Sequence, residues 1–363
     1  MSNSARHDAF DRRQILEGML GAGAAAALAG LWPSGLSAAE AKELRILFAG
    51  GTWKDWFEST FVGPFTEKRG TKVVWKTGLG FEPLIIAQRS RPQWDVIHLN
   101  QNTSSQLGAM NAVVEWKEDR IPNLKKIHPS FKYQFLAGKV HTPYGIAVNT
   151  KRIKKPITSW FDLWDPEFAG KVAYPDWVWV GEEVFHAINI MAGGDAENVD
   201  PGITKLKDLF KTFKAQTINN VEHTKQLLVA EEVWICPYFG ARAEQAKAAG
   251  APVEFVLPKE GGLSWIWNTA IVGGRPKDSI ELAENFVNET LDAEKQVAFC
   301  RKTGYPPTNI EVMKNLPADL KKLEMTEADL EGFGKLQRKF DYMAQFAYRD
   351  RNRERWNKEV LAG

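Results

Sequence analysis

The sequence predicts an α/β protein of about two domains. Short apolar runs that end in glycine or polar turns alternate with stretches whose apolar residues recur at helical spacing. The connections between them are short, the pattern of a parallel sheet covered by helices. Setting aside a distinct N-terminal segment leaves 322 of the 363 residues, enough for two buried cores.

The first unit opens at Leu44–Phe48 (LRILF), a short apolar run closed by Gly50-Gly51, which reads as a buried strand. Trp53, Trp56, Phe57, Phe61 and Phe65 then recur at helical spacing up to Gly70. Val73–Trp75 is a second strand, Leu84–Gln88 lies on a helix, and Asp95–Leu99 is a third strand. This places Gly50–Trp53 and Asn100–Asn102 at carboxyl ends of strands, where open α/β sheets bind ligands. A second unit begins after Tyr144–Asn149. Ser159 can cap a helix carrying Trp160, Leu163 and Trp164, and Val172–Tyr174 is a strand followed by a helix over Glu182–Met191. In Lys205–Phe213 the residues Leu206, Leu209, Phe210 and Phe213 form one apolar helix face. Val233–Ile235, Val253–Leu257 and Ser264–Val272 are further strands. A long helix is expected from Ser279 to about Lys302, stopped by Gly304-Tyr305-Pro306-Pro307. The charged stretch Arg349 to Glu359 reads as a solvated helix with i,i+4 ion pairs.

Residues 1–41 carry Arg12-Arg13, a soft apolar stretch from Gly21 to Leu31, and the small-residue exits Ser37-Ala38-Ala39 and Ala39-Glu40-Ala41. That layout is a secretory signal, and the paired arginines with an Ala/Gly middle resemble a twin-arginine signal. The apolar run is shorter than the ~20 residues that span a bilayer. The segment has no Cys, so no lipid anchor is expected. Its removal leaves 44 Lys+Arg against 41 Asp+Glu, interspersed, without the basic stripe of a nucleic-acid binder. Only Cys236 and Cys300 are available for a disulfide.

No HExxH, GxSxG, GxxxxGK[ST] or CxxC occurs. The six histidines are scattered; Glu183 and His186 form one E-x-x-H step, whereas a carboxylate-bridged di-iron site needs two. No metal and no cofactor are expected. What the sequence offers is aromatic residues at strand ends, several beside carboxylates. Trp53 and Trp56 flank Asp55, Trp177 and Trp179 follow Asp176 with Glu182-Glu183 next, Tyr238 and Phe239 follow the strand at 233–235, and Trp265 and Trp267 flank Ile266. Aromatic faces attract organic ammonium groups, and carboxylates compensate the buried charge.

Three runs carry a resemblance: Trp160-Phe161-Asp162-Leu163-Trp164-Asp165-Pro166-Glu167-Phe168-Ala169-Gly170-Lys171, Leu257-Pro258-Lys259-Glu260-Gly261-Gly262, and Gly304-Tyr305-Pro306-Pro307-Thr308-Asn309. With them the chain resembles the periplasmic spermidine/putrescine-binding proteins from about Leu44 to about Asn309. The resemblance implies the two-lobed periplasmic-binding-protein fold of type II, each lobe a mixed, mostly parallel sheet flanked by helices, with a ligand cleft between. Crossing strands are implied near Gly145–Asn149 and Leu263–Asn268. The expected lobes are 43–145 plus 268–308, and 149–263 plus 312–363. Also implied are a small-molecule ligand, an inner-membrane ABC permease with its ATPase, and a periplasmic location after signal removal. A monomer without enzymatic activity is expected.

Carried over residue by residue, the family's aromatic-x-acid after strand one matches Trp53 and Asp55, its helix acid matches Glu183, and its aromatic after the PKEGG turn matches Trp265. Val180 stands where a further family acid would be, with Asp176 as a substitute. Trp267 stands where the family has the acid that partners a mid-chain amine, which favours a compact cation or a zwitterion over spermidine. The candidate ligand-binding residues are therefore Trp53, Asp55, Asn102, Asp176, Trp177, Glu183, Tyr238, Trp265 and Trp267. Two other cargoes stay open: ferric iron, although no two of the seven tyrosines are adjacent, and an anion or zwitterion anchored by Arg242. A cleft hydrolase is the alternative from a different class.

Overall fold

The computed structural model describes residues 43–78 and 80–362, so the N-terminal segment with Arg12-Arg13 lies outside the described residues. Its strands, in chain order, are β1 (Glu43–Phe48), β2 (Lys72–Thr77), β3 (Val96–Leu99), β4 (Lys132–Tyr133), β5 (Leu136–Ala137), β6 (Val140–Asn149), β7 (Ala173–Pro175), β8 (Gln216–Ile218), β9 (Ile235–Phe239), β10 (Val253–Val256) and β11 (Leu263–Ile271). The helices that matter for the site are α1 (Thr52–Phe57), α2 (Gln101–Ala109), α3 (Glu182–Met191), α4 (Gly240–Ala248), α5 (Lys277–Thr290) and α6 (Ala293–Thr303).

In the first lobe β1 runs parallel to both β2 and β3. Leu44, Ile46, Leu47 and Phe48 are all buried, because helices cover both faces of a central parallel strand. In the second lobe β7 and β8 are parallel, and a parallel bridge between Val172 and Ile235 joins them to β9. Two long strands connect the lobes. β11 pairs antiparallel with β6 from Leu263↔Tyr144 to Trp267↔Val140, then with β3 from Asn268↔Leu99 to Ile271↔Val96. The far half of β6 lies between β9 and β10. Each crossing strand is thus shared by the sheets of both lobes, and β-strands at the junction carry side chains into the space between them.

Each lobe has its own core. Phe48, Phe57, Phe61, Phe65 and Phe286 dominate one, and Trp160, Tyr174, Trp177, Phe185 and Trp356 the other. The segment 312–363 contributes to both: Val312, Leu316, Leu320 and Phe333 pack in the first, Leu336, Phe340, Trp356 and Val360 in the second. Asp95, 1% exposed, fastens the first sheet. It accepts from the Arg45 amide at 2.8 Å and pairs with Arg275 at 2.7 Å. Burial outweighs the guanidinium and raises its pKa.

Local differences from the sequence expectation have physical causes. The expected helix from Ser279 to Lys302 is two helices, α5 and α6, because the Asp292 side chain accepts the amides of Glu294 and Lys295 and starts a new helix. Gly304, at φ 69°, then closes α6 in the left-handed conformation. The strand expected at Val233–Ile235 lies at Ile235–Phe239, which draws Tyr238 into the sheet. The C-terminal helix does carry the ion pairs Arg355–Glu359 and Glu354–Lys358. It is not simply solvated, since Trp356 is 1% exposed and packs on Tyr174 and Trp177. Cys236 and Cys300 are free, buried and in different cores.

Candidate ligand-binding cleft

The carboxyl ends of β1, β3, β7 and β9 lead into α1, α2, α3 and α4, so their connections meet at one region beside the crossing strands. On β11 the side chains of Trp265 and Trp267 share a face, being two residues apart. Trp267 stacks on Trp53 at 3.6 Å between centroids and on His98 at 4.5 Å. His98 is held from behind by the Asn268 carbonyl at 2.6 Å, and burial lowers its pKa to about 3. Trp53 also meets Tyr305 edge-on at 5.3 Å. Trp265 lies further along, edge-on to Phe239 at 5.6 Å.

Glu183, on α3 of the second lobe, meets Asn100, which follows β3 in the first. A tight turn sets it there: Gly181 passes so close to β7 that a Cβ would lie 2.4 Å from the Pro175 carbonyl oxygen. Asp176 starts the turn by accepting the Val178 amide at 2.9 Å. The adjacent carboxylates differ in kind. Glu182 is neutralised by Arg349 at 2.8 Å. Glu183, 8% exposed, has no ion pair among the described residues; its side-chain hydrogen bond is a long one, 3.4 Å from Asn100 Nδ2 on the first lobe. Burial, reinforced by the charge of Glu182, pushes its pKa up to about 8. A desolvated carboxylate without a cation is destabilising, and a ligand ammonium would relieve it.

The structure stacks Trp53 on Trp267, sets Trp265 two residues away on the same face of β11, and places Glu183 against Asn100, the residue after β3. Asp55 is exposed, and its carboxylate makes no hydrogen bond or ion pair among the described residues. Asn102 is buried with its Oδ1 taken by Gln106 at 2.6 Å. Trp177, 4% exposed, turns into the second core against Phe185 and Trp356. Tyr238 is buried, its hydroxyl donating to the Val221 carbonyl at 2.9 Å. That bond and the burial that raises its pKa do not suit a phenolate ligand for ferric iron. His186 packs neutral among Trp177, Phe185 and Phe340, burial lowering its pKa to about 3. No group of three or more His, Cys, Asp or Glu that could hold a metal occurs among the described residues.

Sequence reasoning missed His98, Tyr305 and Tyr342, and within the loop Asn100–Asn102 it chose Asn102 rather than Asn100. Asn100 had a signal, since it follows a strand and caps α2 by accepting the Thr103 amide at 2.8 Å. Cavities among the described residues include one of about 590 and one of about 410 Å³. The larger is lined by Ser264, on the opposite face of β11 from Trp265, with Tyr133, Gln337 and Tyr342. The smaller is lined by Tyr238 and Arg242. Neither contains Trp53, Trp267 and Glu183, because the tryptophans stack on each other and Asn100 reaches Glu183.

Two lobes, each with its own core and joined by two long crossing strands, are the architecture of a solute-binding protein. The model of the family of bacterial extracellular solute-binding proteins matches residues 60–326, and the chain belongs to that family. The family is one of solute-binding proteins rather than enzymes. Spermidine/putrescine-binding periplasmic protein 1 of Haemophilus influenzae is 28% identical over 282 residues, 74% of this chain and 77% of that protein. An ABC transporter structure from Clostridium perfringens superposes with a TM-score of 0.72 at 19% identity, covering 87% of this chain and 99% of the other. A spermidine/putrescine ABC transporter substrate-binding protein from Streptococcus pneumoniae gives 0.66 at 20% identity over 86% and 98%. No helix among the described residues is long and apolar enough to cross a membrane.

Proposed function

We propose that this chain is the receptor of an ABC importer, that it holds a small organic cation between its lobes, and that it delivers that cation to a permease driven by an ATPase. The cation is polyamine-like or a compact amine. Glu183 carries the reading: a carboxyl group 8% exposed, without a cation of its own, opposite Asn100 of the other lobe. Trp53, Trp265 and Trp267 supply the aromatic faces. The spermidine/putrescine-binding protein of Haemophilus influenzae and the spermidine/putrescine transporter protein of Streptococcus pneumoniae support an amine cargo. The protein acts as a monomer in the periplasm, exported through the twin-arginine signal at Arg12-Arg13. Lobes of 43–145 plus 268–308, to which 312–333 adds its packing, and of 149–263 plus the rest of the C-terminal segment turn about β6 and β11, and ligand that bridges them favours the closed form.

Calorimetric titration with putrescine, spermidine and monoamines tests this. At least one amine binds wild-type protein, and Glu183→Gln weakens it severely. Binding of amines that Glu183→Gln leaves unchanged, or no binding of any amine, aminocarboxylates included, contradicts the reading.

A further inference from the structure

Beside Trp53 the protein places a cation of its own. Arg242 lies in the first turn of α4, where the chain leaves β9. Its guanidinium carbon is 5.9 Å from the centroid of Trp53 and 5.6 Å from that of Tyr305. An arginine therefore rests on the aromatic corner that would otherwise attract a ligand's ammonium. Nη1 donates to Gln245 Oε1 at 2.7 Å, while Nε is buried without an acceptor. No carboxylate of the described residues lies within 4.0 Å of it, and Asp55, the acid expected at this wall, is exposed.

The two ends of the aromatic wall are consequently unlike. Trp53 stacks on Trp267, and one residue further along β11 Asn268 pairs with Leu99, whose neighbour Asn100 reaches Glu183. Following this path of contacts, one end presents a carboxyl group without a cation and the other a guanidinium without a carboxylate, its Nε–H lacking an acceptor. A second ammonium at the Trp53 end would meet like charge. A carboxylate there would accept from the guanidinium fork and satisfy the buried Nε–H.

We propose that Arg242 sets the cargo class, selecting an aminocarboxylate whose ammonium lies at Glu183 and whose carboxylate lies at Arg242, over diamines and polyamines. This rests on the reading that Glu183 receives the ammonium. It makes Arg242 a specificity-determining residue in direct contact with ligand.

The test is calorimetry on the wild type, Arg242→Met and Glu183→Gln. The probes are the straight-chain ω-aminocarboxylates from β-alanine to ε-aminocaproate and the α,ω-diamines of matching length. In the wild type the best aminocarboxylate binds roughly tenfold or more tighter than its diamine, as a site with unpaired polar groups discriminates. Arg242→Met loses that preference by weakening the aminocarboxylate while leaving or improving the diamine. The wild-type ratio needs no variant, so it decides the question even if Arg242→Met misfolds. A diamine that binds tighter than every aminocarboxylate overturns the proposal while the amine reading stands. So does an Arg242→Met protein that weakens both series equally. Affinities that Glu183→Gln leaves unchanged overturn instead the placement of the ammonium.

Discussion

Binding of an ammonium at Glu183 should expel a proton. The ligand-free carboxyl has its pKa raised to about 8 by burial and by Glu182, so at pH 7 roughly nine molecules in ten carry the proton, and at pH 8 about half do. A bound cation favours the carboxylate and drives that proton off. Affinity should therefore rise about ninefold from pH 6 to pH 7 and about fivefold from pH 7 to pH 8, then level off. Calorimetry in two buffers of different ionisation enthalpy reads the release directly: about 0.9 proton per ligand at pH 7, falling to about 0.5 at pH 8. Glu183→Gln should abolish both the release and the pH dependence. A binding enthalpy independent of buffer, with affinity flat from pH 6 to pH 8, would show that no ammonium meets a protonated Glu183.

The same group makes the ligand-free protein less stable as pH rises. Its folded pKa lies above the ordinary 4.5, so between those values the folded chain keeps a proton that the unfolded chain loses. The resulting penalty is about 3 kcal/mol at pH 7 and vanishes near pH 4, so Glu183→Gln should raise the melting temperature by about 4 °C at pH 7 for a chain of this size; no gain, or an equal gain at pH 4, contradicts the burial of an unpaired carboxylate. Arg275→Met strands the buried Asp95 and should lower stability by about 3 kcal/mol in denaturant unfolding, whereas an unchanged midpoint would mean that Asp95 does not fasten β1 and β3. Trp267→Asp places a carboxylate at the aromatic end, where it offsets Arg242 or meets a second ammonium; competition titration should show preference moving toward diamines, and an unchanged order would remove Trp267 from the cargo's surroundings. Replacing Arg12 and Arg13 by lysine should leave full-length protein in the cytoplasm on fractionation, and normal processing would rule out the twin-arginine route.

The alternation of strand and helix was legible because parallel strands buried on both faces write continuous apolar runs, as in β1. Boundaries were less so. The break between α5 and α6 hangs on one capping Asp292 within an otherwise helical pattern. The shift of β9 by two residues from 233 to 235 moved Tyr238 from a loop into a strand. In the cleft, Trp53, Glu183, Trp265 and Trp267 were readable as aromatics and acids at strand ends. Trp177 carries the same local signature, yet its ring turns into the second core, since a strand-end position does not say which way the following turn points a side chain. Arg242 was readable only as a possible anchor; its seat on Trp53 and Tyr305 joins residues from three distant parts of the chain.

The central claim, a cleft that captures a small amine through Glu183, is tested most directly by native mass spectrometry of protein purified from its native host without refolding. The account predicts an adduct of one small basic molecule per chain, released on denaturation and absent from Glu183→Gln prepared in the same way. An adduct without an amine, or an amine adduct retained at full occupancy in Glu183→Gln, would contradict it.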